Sequence, residues 1–67
     1  MNIQLNNIPD ELPGEPLTIR DILRIKNYSF PNLVVKINGE LIRKPQYDSA
    51  IVQDGDKVEI IHLISGG

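Results

Sequence analysis

The sequence lacks cysteine and contains one histidine in 67 residues. Without cysteine, a chain forms no disulfide, offers no thiolate nucleophile and supplies no sulfur ligand to a metal ion. His62 has no cluster of acidic side chains around it in the sequence, so it makes a poor metal site and a poor general base. The lack of cysteine also suits a reducing compartment. We therefore expect a cytoplasmic domain without a metal site.

A large excess of one charge is missing too. Seven basic and nine acidic residues give a net charge of −2, which provides no general attraction to a phosphate backbone. No apolar run approaches the length that spans a membrane, and the first residues lack the charged and apolar regions of a signal peptide. We expect neither a nucleic-acid partner nor a membrane association.

Catalytic signatures are absent from the sequence as well. It shows no nucleophile paired with a base, no glycine-rich phosphate loop and no ligand cluster. Asp54 and Asp56 flank Gly55, but a calcium loop needs more oxygen ligands at fixed spacing, so this segment is better explained as a turn. The sequence predicts a protein that is not an enzyme and on which other proteins act.

The first half of the chain predicts a strand followed by a helix. Apolar and polar residues alternate over residues 2–6, as in a half-buried strand. Three prolines in residues 7–16 allow at best a short edge strand there. Thr18 is suited to cap a helix, and Ile19, Ile22 and Leu23 follow at helical spacing. Residues 27–32 close this helix, because Pro31 opposes its continuation.

The second half predicts a hairpin and a long last strand. Asn38 and Gly39 tolerate positive φ and join two strands across a tight turn within residues 33–43. Ile51 and Val52 lie between turns, and residues 57–64 form the last strand. This order predicts an α+β, β-grasp (ubiquitin-like) fold with a mixed sheet of four to five strands and one main helix. We expect the first and last strands to pair in parallel within a domain of residues 1–64, followed by a flexible tail of residues 65–67.

One helix covers only one face of this sheet. Ile61 and Leu63 alternate with Val58 and Ile60, so they are expected on the uncovered face. We expect Val34 and Ile42 to extend that face, which would then be a contact surface. The alternative is that the loop of residues 44–56 covers it.

Basic residues are also grouped in the sequence. Arg43 and Lys44 could form a patch with Arg20, Arg24 and Lys26. A solvated face is the usual explanation, and an acidic protein partner is the sharper alternative.

The chain ends on Gly66 and Gly67. Glycine loses the most conformational freedom on ordering and contributes no packing, so this end is either frayed or used outside the fold. Three residues beyond Ile64 reach roughly 10 Å. Because glycine has no Cβ, such a segment can thread a narrow channel on another protein.

Four stretches together are similar to a known family: TIRDIL at residues 18–23, VKINGELI at 35–42, IVQDGDKV at 51–58 and ISGG at 64–67. Their order and spacing resemble the ThiS-like sulfur-carrier proteins of thiamine biosynthesis, which are related to the small subunit of molybdopterin synthase. Residues 60–64 contain neither an aromatic residue nor the paired prolines usual in the molybdopterin relatives, which favours the thiamine branch. The chain departs from the family pattern in its order Arg43-Lys44-Pro45, in Tyr47 and in its proline-rich N-terminal loop.

The resemblance implies a specific chemistry at Gly67. A ThiF-like adenylating enzyme would activate its carboxylate with ATP, a persulfide sulfur donor would convert it to a thiocarboxylate, and a ThiG-like thiazole synthase would take the sulfur. Gly66 would belong to the reacting tail, and no cofactor would be bound permanently. The residues expected to bind these partners are Ile61, Leu63, Ile64, Ser65, Val34 and Ile42.

Other functions remain open from the sequence. The same tail chemistry could serve molybdopterin or another sulfur pathway, or could attach Gly67 to lysine residues in the manner of a ubiquitin-like modifier. A β-grasp interaction module without tail chemistry is the third possibility.

Overall fold

The computed structural model describes residues 1–29 and 31–63. The N-terminal half of the chain supplies three strands and a helix: β1 (Asn2–Leu5), β2 (Ile8–Glu11), β3 (Leu17–Thr18) and α1 (Ile19–Ile25). The C-terminal half supplies β4 (Leu33–Ile37), β5 (Glu40–Ile42), a 3-10 turn (Lys44–Gln46), β6 (Ile51–Val52) and β7 (Lys57–His62).

The main sheet has five strands in the order β2-β1-β7-β4-β5. The central strands β1 and β7 are parallel, and the other neighbouring pairs are antiparallel. The short strands β3 and β6 pair with each other as a separate ribbon. A mixed sheet with one helix across it is the predicted β-grasp fold, and the parallel pairing of the first and last strands is confirmed.

Two turns with positive φ create the hairpins of this sheet. Asn38 and Gly39 adopt φ values of 50° and 84°, as expected for the predicted tight turn. Asn6 and Asn7 form a second such turn between β1 and β2, with φ values of 53° and 67°. Asparagine tolerates this left-handed region better than most side chains, so it serves where glycine is absent.

The helix begins as its sequence indicates. The backbone N–H of Asp21 donates to the Thr18 hydroxyl, and the backbone N–H of Thr18 donates to the Asp21 carboxylate, both at 3.0 Å. These reciprocal bonds form a capping box with aspartate in place of the usual glutamate. Ile19, Ile22 and Leu23 are buried, as predicted for the core face of the helix.

The core lies between the helix and one face of the sheet. The loop of residues 44–56 packs on the helix side: the backbone N–H groups of Ile19 and Arg20 donate to the carbonyls of Ala50 and Tyr47 at 3.0 and 2.9 Å. The loop therefore contributes to the core and does not cover the open face of the sheet. The buried residues are Ile3, Leu5, Leu12, Ile19, Ile22, Leu23, Val35, Ile42, Tyr47, Val52, Val58 and Ile60.

The expected face of Ile42 is wrong. The two-residue turn places Ile42 opposite Val35 and Leu41 opposite Lys36. Residues directly opposite each other in an antiparallel pair share a face, so Ile42 joins Val35 in the core and is only 7% exposed. Leu41 takes the place expected for Ile42 and is 47% exposed. Val34 lies on the uncovered face as expected, because Ile61 is its partner in β7.

Candidate functional site

The end of β7 is where the domain meets the segment that carries the reactive glycines of the sequence prediction. β7 lies in the middle of the sheet and is paired with β4 through His62, opposite Leu33. One residue later, the backbone N–H of Leu63 donates to the carbonyl of Asn32 at 2.8 Å. The chain is thus held by hydrogen bonds up to Leu63. Four predicted site residues lie outside the described residues: Ile64, Ser65, Gly66 and Gly67.

A single asparagine secures the other side of β7. The Asn6 side-chain amide donates to the carbonyl of Ile60 at 3.1 Å, and its oxygen accepts the backbone N–H of Ile60 at 2.9 Å. The backbone N–H of Asn6 also donates to the carbonyl of Val58 at 2.9 Å. The side chain therefore continues the parallel β1–β7 ladder after β1 has ended at Leu5. We call the two side-chain bonds the Asn6 bridge.

The open face of the sheet carries an apolar patch beside the C-terminal end of β7. Val34 and Ile61 are cross-strand partners, and Leu41 and Leu63 lie nearby on the same side. Ile61 and Leu63 are 47% and 53% exposed, so the helix and the loop leave both accessible. We call Val34, Leu41, Ile61 and Leu63 the open-face patch. The sequence analysis identified three of these residues and missed Leu41. The register of the hairpin was the signal that could have placed Leu41 on this face.

A groove of about 530 Å³ runs from this patch toward the helix. Leu63, Val34 and Leu41 contribute to its wall, so the groove begins where the described chain ends. The guanidinium of Arg20 crosses its edge, lying 5.5 Å from the centre of the Tyr47 ring while its Nε donates to Asp48 at 3.1 Å. The sequence analysis had no signal for a groove. The remaining lining residues are Leu23, Tyr28, Ser29, Pro31, Asn32, Leu33, Ile42, Arg43 and Lys44.

The titratable groups with shifted pKa values have structural roles. Hydrogen bonds from the backbone and the hydroxyl of Thr18 lower the pKa of Asp21, as expected for a helix cap. A hydrogen bond to Asp10 at 2.7 Å raises the pKa of Lys26 and joins the end of the helix to β2. Among residues 1–29 and 31–63, no three His, Cys, Asp or Glu side chains are grouped to hold a metal ion. No helix in these ranges is long and apolar enough to span a membrane.

Comparisons with known proteins agree with this architecture. The model of the ThiS family matches residues 3–67, which is nearly the whole chain. The chain belongs to the ThiS family. The sulfur carrier protein ThiS of Bacillus subtilis (strain 168) is 31% identical over 65 residues, which cover 97% of this chain and 98% of that protein. The predicted family is therefore confirmed.

Two further relatives span the whole of this ThiS-family chain. The protein ycf40 of Porphyra purpurea is 31% identical over 67 residues, covering 100% of this chain and 93% of the relative. The crystal structure of the thiamine biosynthesis protein ThiS from Geobacter metallireducens superimposes with a TM-score of 0.87 at 30% identity, with 100% of both chains covered. The β-grasp fold is thus shared with ThiS.

Proposed function

We propose that this protein is a sulfur carrier whose Gly67 carboxylate is adenylated and then converted to a thiocarboxylate that supplies sulfur for thiazole formation in thiamine biosynthesis. The family match through residue 67 is the observation that carries the proposal, because it includes the terminal glycines together with the domain. The protein acts in this scheme as a co-substrate of a ThiF-like adenylating enzyme and a ThiG-like thiazole synthase.

The chemistry explains why a separate enzyme is needed. A carboxylate is a poor electrophile, since attack adds negative charge to an anion. Transfer of AMP from ATP forms an acyl-adenylate, releases pyrophosphate and provides a leaving group. The terminal sulfur of a persulfide then displaces AMP from the acyl carbon and leaves an acyl disulfide bonded to the donor. A thiol of the partner proteins attacks the donor's sulfur in that disulfide, forms a new disulfide with it and releases the thiocarboxylate. In this scheme these steps take place on the partner enzymes.

The domain contributes position and recognition. Hydrogen bonds hold β7 as far as Ile60 on the β1 side and as far as Leu63 on the β4 side, so a bound domain delivers its C-terminal segment from a defined point. The open-face patch lies beside that point and offers three side chains about half exposed: Leu41, Ile61 and Leu63. Exposed apolar groups of this kind are suited to a protein contact.

Mass spectrometry of the C-terminal peptide tests the proposal. After incubation with the adenylating enzyme, ATP and a persulfide donor, the peptide should gain the mass difference between sulfur and oxygen. A chain without Gly66 and Gly67 should stay folded, with an unchanged circular dichroism spectrum, and should gain nothing. If the intact chain binds the active enzyme but never gains this mass, the proposed function is wrong. Conjugates to lysine residues would instead indicate a ubiquitin-like modifier.

A further inference from the structure

The groove beside the open-face patch has a polarised lining. Arg20, Arg43 and Lys44 all contribute to it, and none of its described lining residues is acidic. Arg20 is paired with Asp48 and stacked over Tyr47, whereas Arg43 and Lys44 are exposed and form no ion pair with any described residue. Two cationic groups therefore stand uncompensated at the rim of a partly apolar groove.

This arrangement is local, because the protein as a whole is acidic. Its net charge is −2, yet Arg43 and Lys44 follow β5 at the end of the sheet where β7 finishes. Acidic residues collect at the opposite end: Asp54 and Asp56 flank the turn before β7, and Glu40 follows the hairpin turn. A partner that approaches the groove therefore meets a field of the opposite sign from the average of the molecule.

We propose that the groove receives an acidic segment of the adenylating enzyme, in which carboxylates face Arg43 and Lys44 and an apolar side chain packs against the groove wall. This inference rests on the proposed function. The position supports it, since Leu63 lines the groove and an enzyme that takes up the residues after Leu63 binds next to it. The apolar part of the wall includes Leu23 and Leu33, which suits an apolar anchor between two charged contacts.

Charge complementarity at such a rim acts mainly on association. Exposed ion pairs each contribute little to affinity, but a focused field raises association rate constants roughly 10- to 1,000-fold at low ionic strength. Salt screens this effect, because the Debye length falls to about 3 Å at 1 M salt. We therefore expect fast, salt-sensitive binding that weakens when the groove rim loses its positive charge.

The chain offers a matched pair of variants for the test. Lys44→Glu and Lys57→Glu make the same change of net charge on exposed lysines, one at the groove and the other at the far end of β7. Stopped-flow measurements with the intact adenylating enzyme should show association about tenfold slower for Lys44→Glu at low salt, with the difference largely lost at 1 M salt. Lys57→Glu should associate at a rate close to that of the wild type. Equal slowing by both variants, or by neither, overturns the groove assignment.

Crosslinking identifies the chemistry of the partner segment. A carbodiimide joins an amine directly to a carboxylate, so it should connect Lys44 to an aspartate or glutamate of the enzyme. Crosslinks confined to Lys36 or Lys57 would overturn the assignment. If a labelled single-stranded RNA bound the wild type but not Lys44→Glu, the groove would be a nucleic-acid site and the assignment would also be overturned.

The two proposals fail in different ways. If the wild type gains sulfur mass but Lys44→Glu and Lys57→Glu behave alike, the function stands and the groove assignment falls. If the wild type binds through the groove but never gains the mass, the proposed function is the part that fails.

Discussion

Replacing Asn6 by glycine should remove about 2 kcal/mol from the free energy of unfolding, because the Asn6 bridge consists of two hydrogen bonds to Ile60. Each such bond contributes about 1 kcal/mol net of exchange with water. Asn6→Ala should lower the free energy of unfolding by roughly 1 kcal/mol more than Asn6→Gly does. Asn6 has a φ of 53°, and a side chain with a Cβ but no polar group is strained at that angle. A domain of this size has roughly 3–10 kcal/mol in total, so either loss is large.

The assay is urea unfolding followed by circular dichroism, together with amide hydrogen exchange. The Ile60 amide should exchange faster in Asn6→Gly, because its acceptor is the deleted side-chain oxygen. Asn7→Gly is the matched control: Asn7 has a φ of 67°, and its side chain hydrogen-bonds to none of the described residues. A cost below about 0.5 kcal/mol for Asn6→Gly, or equal costs at both positions, would refute the assigned role of the bridge.

Three other outcomes follow from the structure. Ile61→Asp should lower stability by less than about 1 kcal/mol, because the side chain is half exposed, yet weaken binding to the adenylating enzyme at least about tenfold; equal losses in urea unfolding and in calorimetric titration would contradict this. The hydrogen bond to Asp10 raises the pKa of Lys26, so its contribution to stability is fully present below the ordinary pKa of 10.5 and is lost as the pH rises through the folded-state pKa. The urea midpoint of the wild type should therefore fall at alkaline pH, and the midpoint of Lys26→Met should fall less. Asn38→Asp should lower the free energy of unfolding by about 1–2 kcal/mol, since Asn38 donates to the Asp56 carboxylate at 3.1 Å and the variant would place two carboxylates there. Adding Asp56→Asn should restore the lost stability, whereas additive effects in this double-mutant cycle would count against the explanation.

Local signals in the sequence were sufficient for the fold. Thr18 and the apolar spacing after it located the start of the helix, and Asn38–Gly39 located the hairpin, because each depends on residues close together in the chain. Because the first and last strands are the most apolar, they were expected side by side in the middle of the sheet, where they pair in parallel. The fold could therefore be predicted from short-range chemistry plus one rule of layer packing.

The site depends on longer-range facts, and there the sequence was less informative. The alternation of Ile61 with Ile60 gave the open face of β7 correctly, but the face of Ile42 requires the register across the hairpin, which a shift of one residue reverses. The Asn6 bridge joins residues 54 positions apart, and no pattern within either strand announces it. The groove is likewise assembled from the helix, the hairpin and β7, so it exists only in the folded chain.

The central position of β7 also has a mechanical consequence. A pull along the axis of β7 acts across the hydrogen bonds that join it to β1 and β4 and loads them mainly in shear. Bonds loaded in this shearing direction share the force, whereas an edge strand peeled sideways would lose them one at a time. Tension along β7 is therefore borne by the hydrogen bonds on both of its sides at once, and the domain resists unravelling from its last strand.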